Sequence, residues 1–183
     1  FHQETAVGYT FSVPYLYSGL QFGGIPSKVA CAEQGDSTSQ QCADLQICAI
    51  RDSTHIDFMK RIFPEIGIIE ADDDEMLKSY LVAAICNVIA GEGMTISETT
   101  VRLSGFLGDY VVGQSVFSKE PLALITRKQD VEWSDFVNWV LMALIAAEHD
   151  RITKNEADQF VHSSSAVYGD ALQKAIGAVG NYG

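Results

Sequence analysis

Short apolar runs alternate with amphipathic segments between residues 45 and 126, and this alternation limits the possible folds more than any other feature of the chain. Apolar runs of about four to eight residues rich in isoleucine and valine are typical of buried strands. We expect strands at 47–50, 66–70, 85–90, 116–117 and 122–126, separated by helices at 56–63, 72–84 and 97–107. Strands and helices in this order predict an α/β fold with a mainly parallel sheet flanked by helices.

The segment after residue 126 predicts helices rather than strands. Asp130 is expected to be the N-cap of a helix over 131–148, whose apolar residues extend around more than one side. Thr153 and Glu156 have the spacing of a capping box, which predicts a further helix start, and a last short helix is expected at 170–179. A helix with so wide an apolar surface is expected to be buried on more than one side.

The charge balance argues against two classes of partner. The 183 residues include 12 Lys or Arg and 24 Asp or Glu, so the formal net charge at pH 7 is −12. A field of this sign repels phosphate, and we therefore expect no binding to nucleic acid or to anionic membranes. The most apolar stretch, 136–147, is shorter than the roughly 20 residues that a bilayer requires, so no membrane span is expected.

The four cysteines leave two interpretations open. They form no Cys-x-x-Cys pair and have no histidine at ligand spacing beside them, which disfavours a structural zinc site. Cys31 and Cys42 bracket a polar loop, whereas Cys48 and Cys86 lie in predicted strands that could be neighbours in one sheet. The pattern predicts either two disulfides with these pairings, in an oxidising compartment, or four buried reduced thiols.

Several motifs follow one another in the order of a known protein family. The segments at 118–122, 132–139, 143–148 and 178–183 resemble the C-terminal region of the general L-amino-acid-binding proteins of ABC transporters. Residues 5–11 and 15–19 resemble the first crossing between the two lobes of those proteins. The family consists of type II periplasmic solute-binding proteins, in which two α/β lobes are joined by two crossings and the ligand lies in the cleft.

The resemblance implies an incomplete two-lobe architecture. Residues 1–21 would be the end of the first lobe and the first crossing, 22–117 the second lobe, and 118–183 the return crossing and C-terminal helices. The sequence begins at Phe1 without an initiator methionine or a signal segment, so we expect a processed chain or a fragment that lacks the N-terminal part of the first lobe. The arginine that pairs with the ligand carboxylate in the family would be lost with it.

The same resemblance concerns the helix at 131–148, which in relatives packs on the first lobe. With much of that lobe missing, its apolar face would exceed the few hundred square ångströms that soluble monomers usually expose. We therefore expect another protein chain, or a missing segment, to cover this helix.

Three consecutive residues, Ser53, Thr54 and His55, are the first candidate for ligand binding. They follow a predicted strand and precede a predicted helix, where hydroxyls, free backbone N–H groups and the helix dipole all favour a carboxylate. The other interpretation is a plain N-cap that serves only its own helix. The family has a Gly-Thr-Thr-like ligand loop here, and Asp52 stands where its glycine is usual, which an aspartate tolerates because it can adopt left-handed backbone conformations.

Glu92 is the second candidate, because it falls where relatives carry the aspartate that accepts a ligand's α-ammonium group. A carboxylate suits an ammonium group, although a glutamate is one methylene longer; the alternative is a solvated acid in a turn at 91–93. Tyr15 and Tyr17 could line the cleft, or they could pack the crossing. The acidic run at 72–75 lacks the ligand spacing of an EF-hand, and a helix cap explains it better.

The residues and the resemblance together predict a soluble, extracytoplasmic solute-binding protein for an amino-acid-like ligand, or a descendant of one. The chain has no GxSxG, HExxH or P-loop motif, so no enzymatic activity, cofactor or metal is expected. The alternative is a structural or interaction subunit that keeps the fold without binding a solute. Asp52, Glu92 and the missing arginine-bearing segment favour that alternative.

Overall fold

The computed structural model describes residues 8–157 and 170–183. The alternation of strands and helices predicted from the sequence is present in them. Within these residues, the strands and helices follow in the order β1 (Tyr9–Phe11), β2 (Leu16–Ser18), β3 (Leu20–Gly24), α1 (Pro26–Gln34), β4 (Ile47–Ile50), α2 (Thr54–Ile62), β5 (Ile68–Ala71), α3 (Asp74–Val82), β6 (Val88–Glu92), α4 (Glu98–Leu103), β7 (Val111–Val112), β8 (Glu120–Leu122), β9 (Ile125–Arg127), α5 (Val131–His149) and α6 (Asp170–Val179).

The chain divides into two compact units. One contains Tyr17–Glu120, and the other contains the residues up to Leu16 together with those from Pro121 onward. The sequence predicted boundaries a few residues away, at 21/22 and 117/118. Both divisions fall within β2 and β8, which pair in a two-stranded ladder.

The unit Tyr17–Glu120 is built on a five-stranded sheet with the order β5-β4-β6-β3-β7. The adjacent strands β5, β4 and β6 are parallel, as the βα alternation predicts, whereas β3 pairs antiparallel with both β6 and β7. The sheet is therefore mixed rather than mainly parallel. Because β3 enters from the first crossing without a preceding crossover helix, its direction is not constrained by a βαβ unit.

Two strand predictions differ from the structure: the strand expected over 122–126 is divided between β8 and β9, and the strand expected over 116–117 is absent. Residues 116–117 are not a strand: Phe117 instead packs its ring on Phe22, with a centroid separation of 5.2 Å, while its N–H donates to the carbonyl of Leu20. The short strand here is β7, where Val111 and Val112 pair with Gly24 and Gly23. Apolar residues at 116–117 therefore reflect core packing and not a ladder.

Capping side chains begin α3 and α4 of this unit. Asp73 Oδ1 accepts a hydrogen bond from the Met76 N–H at 2.7 Å, and Asp74 pairs with Lys78. The acidic run at 72–75 thus caps and stabilises α3, as expected. Ser97 caps α4, which ends at Leu103 rather than at residue 107.

Two disulfides, Cys31–Cys42 and Cys48–Cys86, join the cysteines as the first sequence interpretation predicts. Cys48 lies in β4, and Cys86 lies just before the neighbouring strand β6, so the bond links two adjacent parts of the sheet. The Cys31–Cys42 bond ties α1 to the following loop. In that loop, hydrogen bonds from Ser39 and Thr38 lower the pKa of Asp36 to about 2. Four reduced thiols are excluded by these pairings.

The other unit contains the antiparallel pair β1–β9 and the helices α5 and α6. Asp130 caps α5, as predicted, by accepting from the Trp133 N–H at 3.1 Å. Ala143 and Ala147 of α5 form a small core with Ile152, Ala157 and Ile176. One of the two bonds of a capping box is present, since Glu156 Oε2 accepts from the Thr153 N–H, while the Thr153 hydroxyl also donates to Glu156 instead of accepting from its N–H. Most of the helix expected after it lies outside the described residues. Among the helices described, none combines the length and the apolar content needed to cross a membrane.

We expect the Cys48–Cys86 bond to contribute more stability than the Cys31–Cys42 bond, because it closes 38 residues instead of 11. Loop-closure entropy assigns about 4 kcal/mol to the longer loop and about 3 kcal/mol to the shorter one. Urea unfolding of C48A/C86A and C31A/C42A measures the difference, and the two variants are matched because all four cysteines are buried. Equal losses, or free thiols in the unfolded, unreduced protein, would contradict this account.

Candidate functional site

The strand order predicts a ligand crevice at the carboxyl ends of β4 and β6. These two strands are parallel neighbours, but the chain leaves β4 toward β5 on one side and leaves β6 toward β7 on the other. In open α/β sheets, ligands bind outside the carboxyl ends of the strands at such a switch in direction. The segments that follow β4 and end β6 are those that contain Ser53, Thr54, His55 and Glu92.

The turn after β4 brings the start of α2 to this crevice. Asp52 has a φ of 56°, so it adopts the left-handed conformation expected of the residue that replaces glycine. Ser53 is the N-cap, and its Oγ accepts from the Ile56 N–H at 3.4 Å. The N–H groups of Thr54 and His55 have no acceptor among the described residues, as is usual in the first turn of a helix.

Glu92 is the last residue of β6 rather than part of a turn. Gly91 and Glu92 continue the ladder opposite Gln21 and Leu20 of β3, and the turn begins only at Gly93. The Glu92 carbonyl accepts from the N–H groups of Thr95 and Ile96, so the turn holds the backbone of Glu92 in place. The half-buried side chain of Glu92 reaches the group formed by His55 and Glu120.

Glu120 is the site residue that the sequence reasoning missed. Its two carboxylate oxygens accept hydrogen bonds from Ser118 Oγ at 2.9 Å and from Thr54 Oγ1 at 3.3 Å. Ser118 Oγ also accepts from the buried Leu20 N–H at 2.9 Å, which fixes this segment beside β3. The only available signal was its position in the family motif at 118–122, which the sequence analysis used for the resemblance alone.

One nitrogen and two carboxylates meet at this point. One ring nitrogen of His55 and one oxygen each of Glu92 and Glu120 lie within 4.8 Å of one another, and His55 Nε2 is 3.6 Å from Glu120 Oε1. The side chains of His55 and Glu120 are 13% and 30% exposed. His55 Nε2 itself is shielded from solvent and has no hydrogen-bond partner among the described residues. The part of the chain that the structure describes offers neither glutamate an ion pair with Lys or Arg.

Tyr17 and Tyr15 lie apart from this group in their described contacts. The Tyr17 side chain is 56% exposed, and Lys119 Nζ lies 4.5 Å from the centroid of its ring. Tyr15 belongs to the other unit, where its carbonyl accepts from the hydroxyl of Tyr182. The structure thus brings Thr54, His55 and Glu92 together around Glu120 and places Ser53 at the adjoining helix start.

Sequence comparisons relate the chain to binding proteins of amino-acid transporters. No protein-family model matches it. It is 24% identical to the glutamate/glutamine/aspartate/asparagine-binding protein BztA of Rhodobacter capsulatus, over all of this chain and 59% of BztA. It is 23% identical to the putative amino-acid ABC transporter-binding protein YhdW of Escherichia coli, over 99% of this chain and 51% of YhdW. The chain therefore spans about half the length of these curated relatives.

Solved structures show the same fold. An ABC transporter periplasmic binding protein from Brucella ovis with glutathione bound superposes with a TM-score of 0.76 and 24% identity, over 98% of this chain and 62% of that protein. An ancestral amino-acid-binding protein, a precursor of cyclohexadienyl dehydratase, gives 0.57 and 17%, over 87% of this chain and 63% of that protein. The chain has the type II periplasmic-binding-protein fold in part, and the predicted resemblance to amino-acid-binding proteins of ABC transporters is confirmed.

We expect Ser118→Ala to lower the free energy of unfolding by about 1–3 kcal/mol, because it leaves the N–H of fully buried Leu20 without its acceptor. Urea unfolding measures the loss. The matched control is Ser104→Ala, whose hydroxyl donates to Thr100 at an exposed position and should change stability by less than about 0.5 kcal/mol. A loss no larger than that of the control would show that Ser118 does not hold the Glu120 segment on β3.

Proposed function

We propose that this chain is part of a solute-binding protein and that the unit Tyr17–Glu120 contributes side chains to a site for an amino acid or a similar small polar solute. The observation that carries the proposal is the convergence of His55, Glu92 and Glu120 at the switch in strand direction. The named relatives support it, because BztA is a glutamate/glutamine/aspartate/asparagine-binding protein and YhdW is a putative amino-acid ABC transporter-binding protein.

The charge of the site favours the ammonium end of such a solute. Glu92 and Glu120 lie close together without a Lys or Arg ion pair among the described residues, so a bound cation would relieve the repulsion between them. Glu92 is the proposed acceptor of the ammonium group, in agreement with the role that the family resemblance implies. Glu120 is a second acceptor that the sequence analysis did not include.

The start of α2 is the proposed site for the solute carboxylate. The N–H groups of Thr54 and His55 point out of the first turn, where the helix dipole favours an anion. Ser53 and Thr54 contribute less through their hydroxyls, because Ser53 Oγ caps the helix and Thr54 Oγ1 donates to Glu120. The backbone therefore carries more of the proposed contact than the hydroxyls do. Tyr17, on β2, stays a prediction for the wall of the site, because its described ring contact is with Lys119.

An extracytoplasmic location agrees with the fold and with the cysteines. The relatives include a general L-amino acid-binding periplasmic protein, AapJ of Rhizobium johnstonii, which is 24% identical over 88% of this chain and 47% of AapJ. Two disulfides, one of them fully buried in the sheet, persist in an oxidising compartment. Both observations place the chain outside the cytoplasm.

An interaction subunit is the second candidate, and the surface of α5 is the observation that favours it. Val131, Trp133 and Phe136 are 52–62% exposed, and the rings of Trp133 and Phe136 stack with their centroids 5.5 Å apart. Two adjacent exposed aromatic rings are typical of a surface that contacts another protein. In this candidate function, another protein chain or a further segment covers α5.

We expect calorimetry to detect binding of at least one solute from a panel of glutamate, glutamine, aspartate, asparagine and glutathione, which the named relatives bind. Glu92→Gln should weaken that binding about tenfold or more, because a charge-assisted hydrogen bond to the ammonium group is lost. The panel is run on the whole natural protein.

Two controls make the assignment of Glu92 specific. Glu75→Gln changes the same charge at the exposed start of α3 and should leave the affinity unchanged. For a glutamate-binding protein, glutarate is the matched solute without the ammonium group, and it should bind Glu92→Gln as well as it binds the unaltered chain. No heat from any solute would refute the binding function, and an unchanged affinity in Glu92→Gln would refute the role of this residue.

For the interaction candidate, we expect the isolated chain to self-associate or to bind an apolar dye. Replacing Trp133 and Phe136 by lysine should remove that behaviour, whereas Glu132→Lys on the same helix should not. Multi-angle light scattering and dye fluorescence provide the measurements. A monodisperse monomer that binds no dye would rule out an exposed apolar interaction surface on α5.

A further inference from the structure

We propose that His55, Glu92 and Glu120 form a binding site for a divalent transition-metal ion, with zinc the best match. One imidazole nitrogen and two carboxylates are the donors that zinc accepts in sites with three protein ligands. The three donor atoms lie within 4.8 Å of one another and come from α2, β6 and β8. The site rests on this geometry alone and does not require that the protein bind an amino acid.

The spacing of two of the donors is already that of zinc ligands. Ligands about 2.0–2.2 Å from a tetrahedral zinc ion are separated from each other by roughly 3.3–3.6 Å. His55 Nε2 and Glu120 Oε1 are 3.6 Å apart, so one ion can contact both without a backbone change. The Glu92 oxygen needs to move by only about an ångström toward them, which rotation of a glutamate side chain allows.

The environment of His55 Nε2 also favours a metal ion. This nitrogen is shielded from solvent and has no hydrogen-bond partner among the described residues, although Glu120 Oε1 lies 3.6 Å away. A buried polar atom without a partner is unfavourable, and coordination of a cation would satisfy it. The same ion would neutralise the repulsion between Glu92 and Glu120, two half-buried acids in a chain of net charge −12.

Neighbouring hydroxyls hold one of the ligands in position. Thr54 Oγ1 and Ser118 Oγ donate to the two oxygens of Glu120 at 3.3 and 2.9 Å. Hydrogen bonds of this kind orient the carboxylates of metal sites and are worth about 10–100-fold in metal affinity. Thr54 is therefore a positioning residue, and its effect on the metal is exerted through Glu120.

The donor set also discriminates between metals. Calcium takes six to eight oxygen ligands and magnesium retains several waters, so a site with one nitrogen and two carboxylates favours neither. Among first-row divalent ions, affinity for such a site rises from manganese toward copper and zinc. Three protein ligands leave at least one coordination position for water or for a solute oxygen.

Zinc alone provides the test, on the whole natural protein after chelator treatment and dialysis. Titration against a fluorescent zinc chelator should give one zinc per chain. His55→Gln, Glu92→Gln and Glu120→Gln should each weaken zinc about tenfold or more, and Thr54→Val about tenfold. Glu75→Gln, on exposed α3, and His149→Gln, at the end of α5, are the matched controls and should bind as the unaltered chain does.

The outcomes separate this proposal from the amino-acid function. Absence of saturable zinc binding, binding that survives any of the three ligand substitutions, or tighter binding of calcium than of zinc would overturn the metal site, whatever the solute panel shows. Zinc binding without any solute binding would support the metal site and count against the proposed solute. Thermal unfolding without zinc checks folding: a variant that melts with the unaltered chain and has lost zinc confirms the role of the replaced ligand. If a variant melts at a lower temperature, cobalt(II) is added to the unaltered chain instead. The metal site then requires a visible absorption band that saturates at one equivalent of cobalt and disappears when zinc is added.

Discussion

The parallel pairing of β4 with β6 is the constraint on which the rest of the unit Tyr17–Glu120 depends. Ile47, Cys48 and Ala49 lie opposite Val88, Ile89 and Ala90, and all six residues are almost completely buried. The Cys48–Cys86 bond fixes the same two parts of the chain covalently. Because the strands are parallel, their carboxyl ends meet at one edge, and the first turn of α2 and the side chain of Glu92 must approach each other.

The site at this edge combines a rigid frame with an electrostatic conflict. Glu92 belongs to the five-stranded sheet, His55 lies on the helix that follows β4, and hydrogen bonds from Ser118 and Thr54 hold the Glu120 carboxylate beside them. Local rules would keep like charges apart, and departures from such rules in an otherwise consistent structure are expected at functional positions. A cation relieves the conflict, whether it is the ammonium group of a solute or a metal ion, and the anionic part of a solute has the N–H groups of α2 nearby.

The unit that contains α5 follows a different principle. Its small core is made of alanines and isoleucines from α5, α6 and the segment between them, while Trp133 and Phe136 remain exposed. Buried Ser134 and Thr126 share a hydrogen bond of 2.7 Å that attaches α5 to β9. The apolar width of α5 is therefore only partly used by the described contacts, as the sequence led us to expect.

Much of the fold could be predicted from the sequence because it depends on local signals. Asp73, Ser97 and Asp130 cap helices by bonding to residues three positions away, and the strands at 47–50 and 68–71 are apolar runs bounded by polar turns. The left-handed backbone of Asp52 was implied by the glycine that the resembled family has there, and the two disulfide pairings were one of the two interpretations that the cysteine spacing left open. Ser53, Thr54 and His55 could be selected as candidates because they lie between a predicted strand and a predicted helix, whereas Glu92 was selected through the family resemblance.

The tertiary structure alone decided which of these residues meet. The antiparallel direction of β3 and the packing of Phe117 on Phe22 depend on partners about 65–95 positions away, for which a single sequence contains no local signal. Glu120 joins His55, 65 positions earlier in the chain, because Ser118 bonds to Leu20 of β3. The sequence determined the types of side chain that could bind a cation, and only the folded sheet determined that one imidazole and two carboxylates would share one point in space.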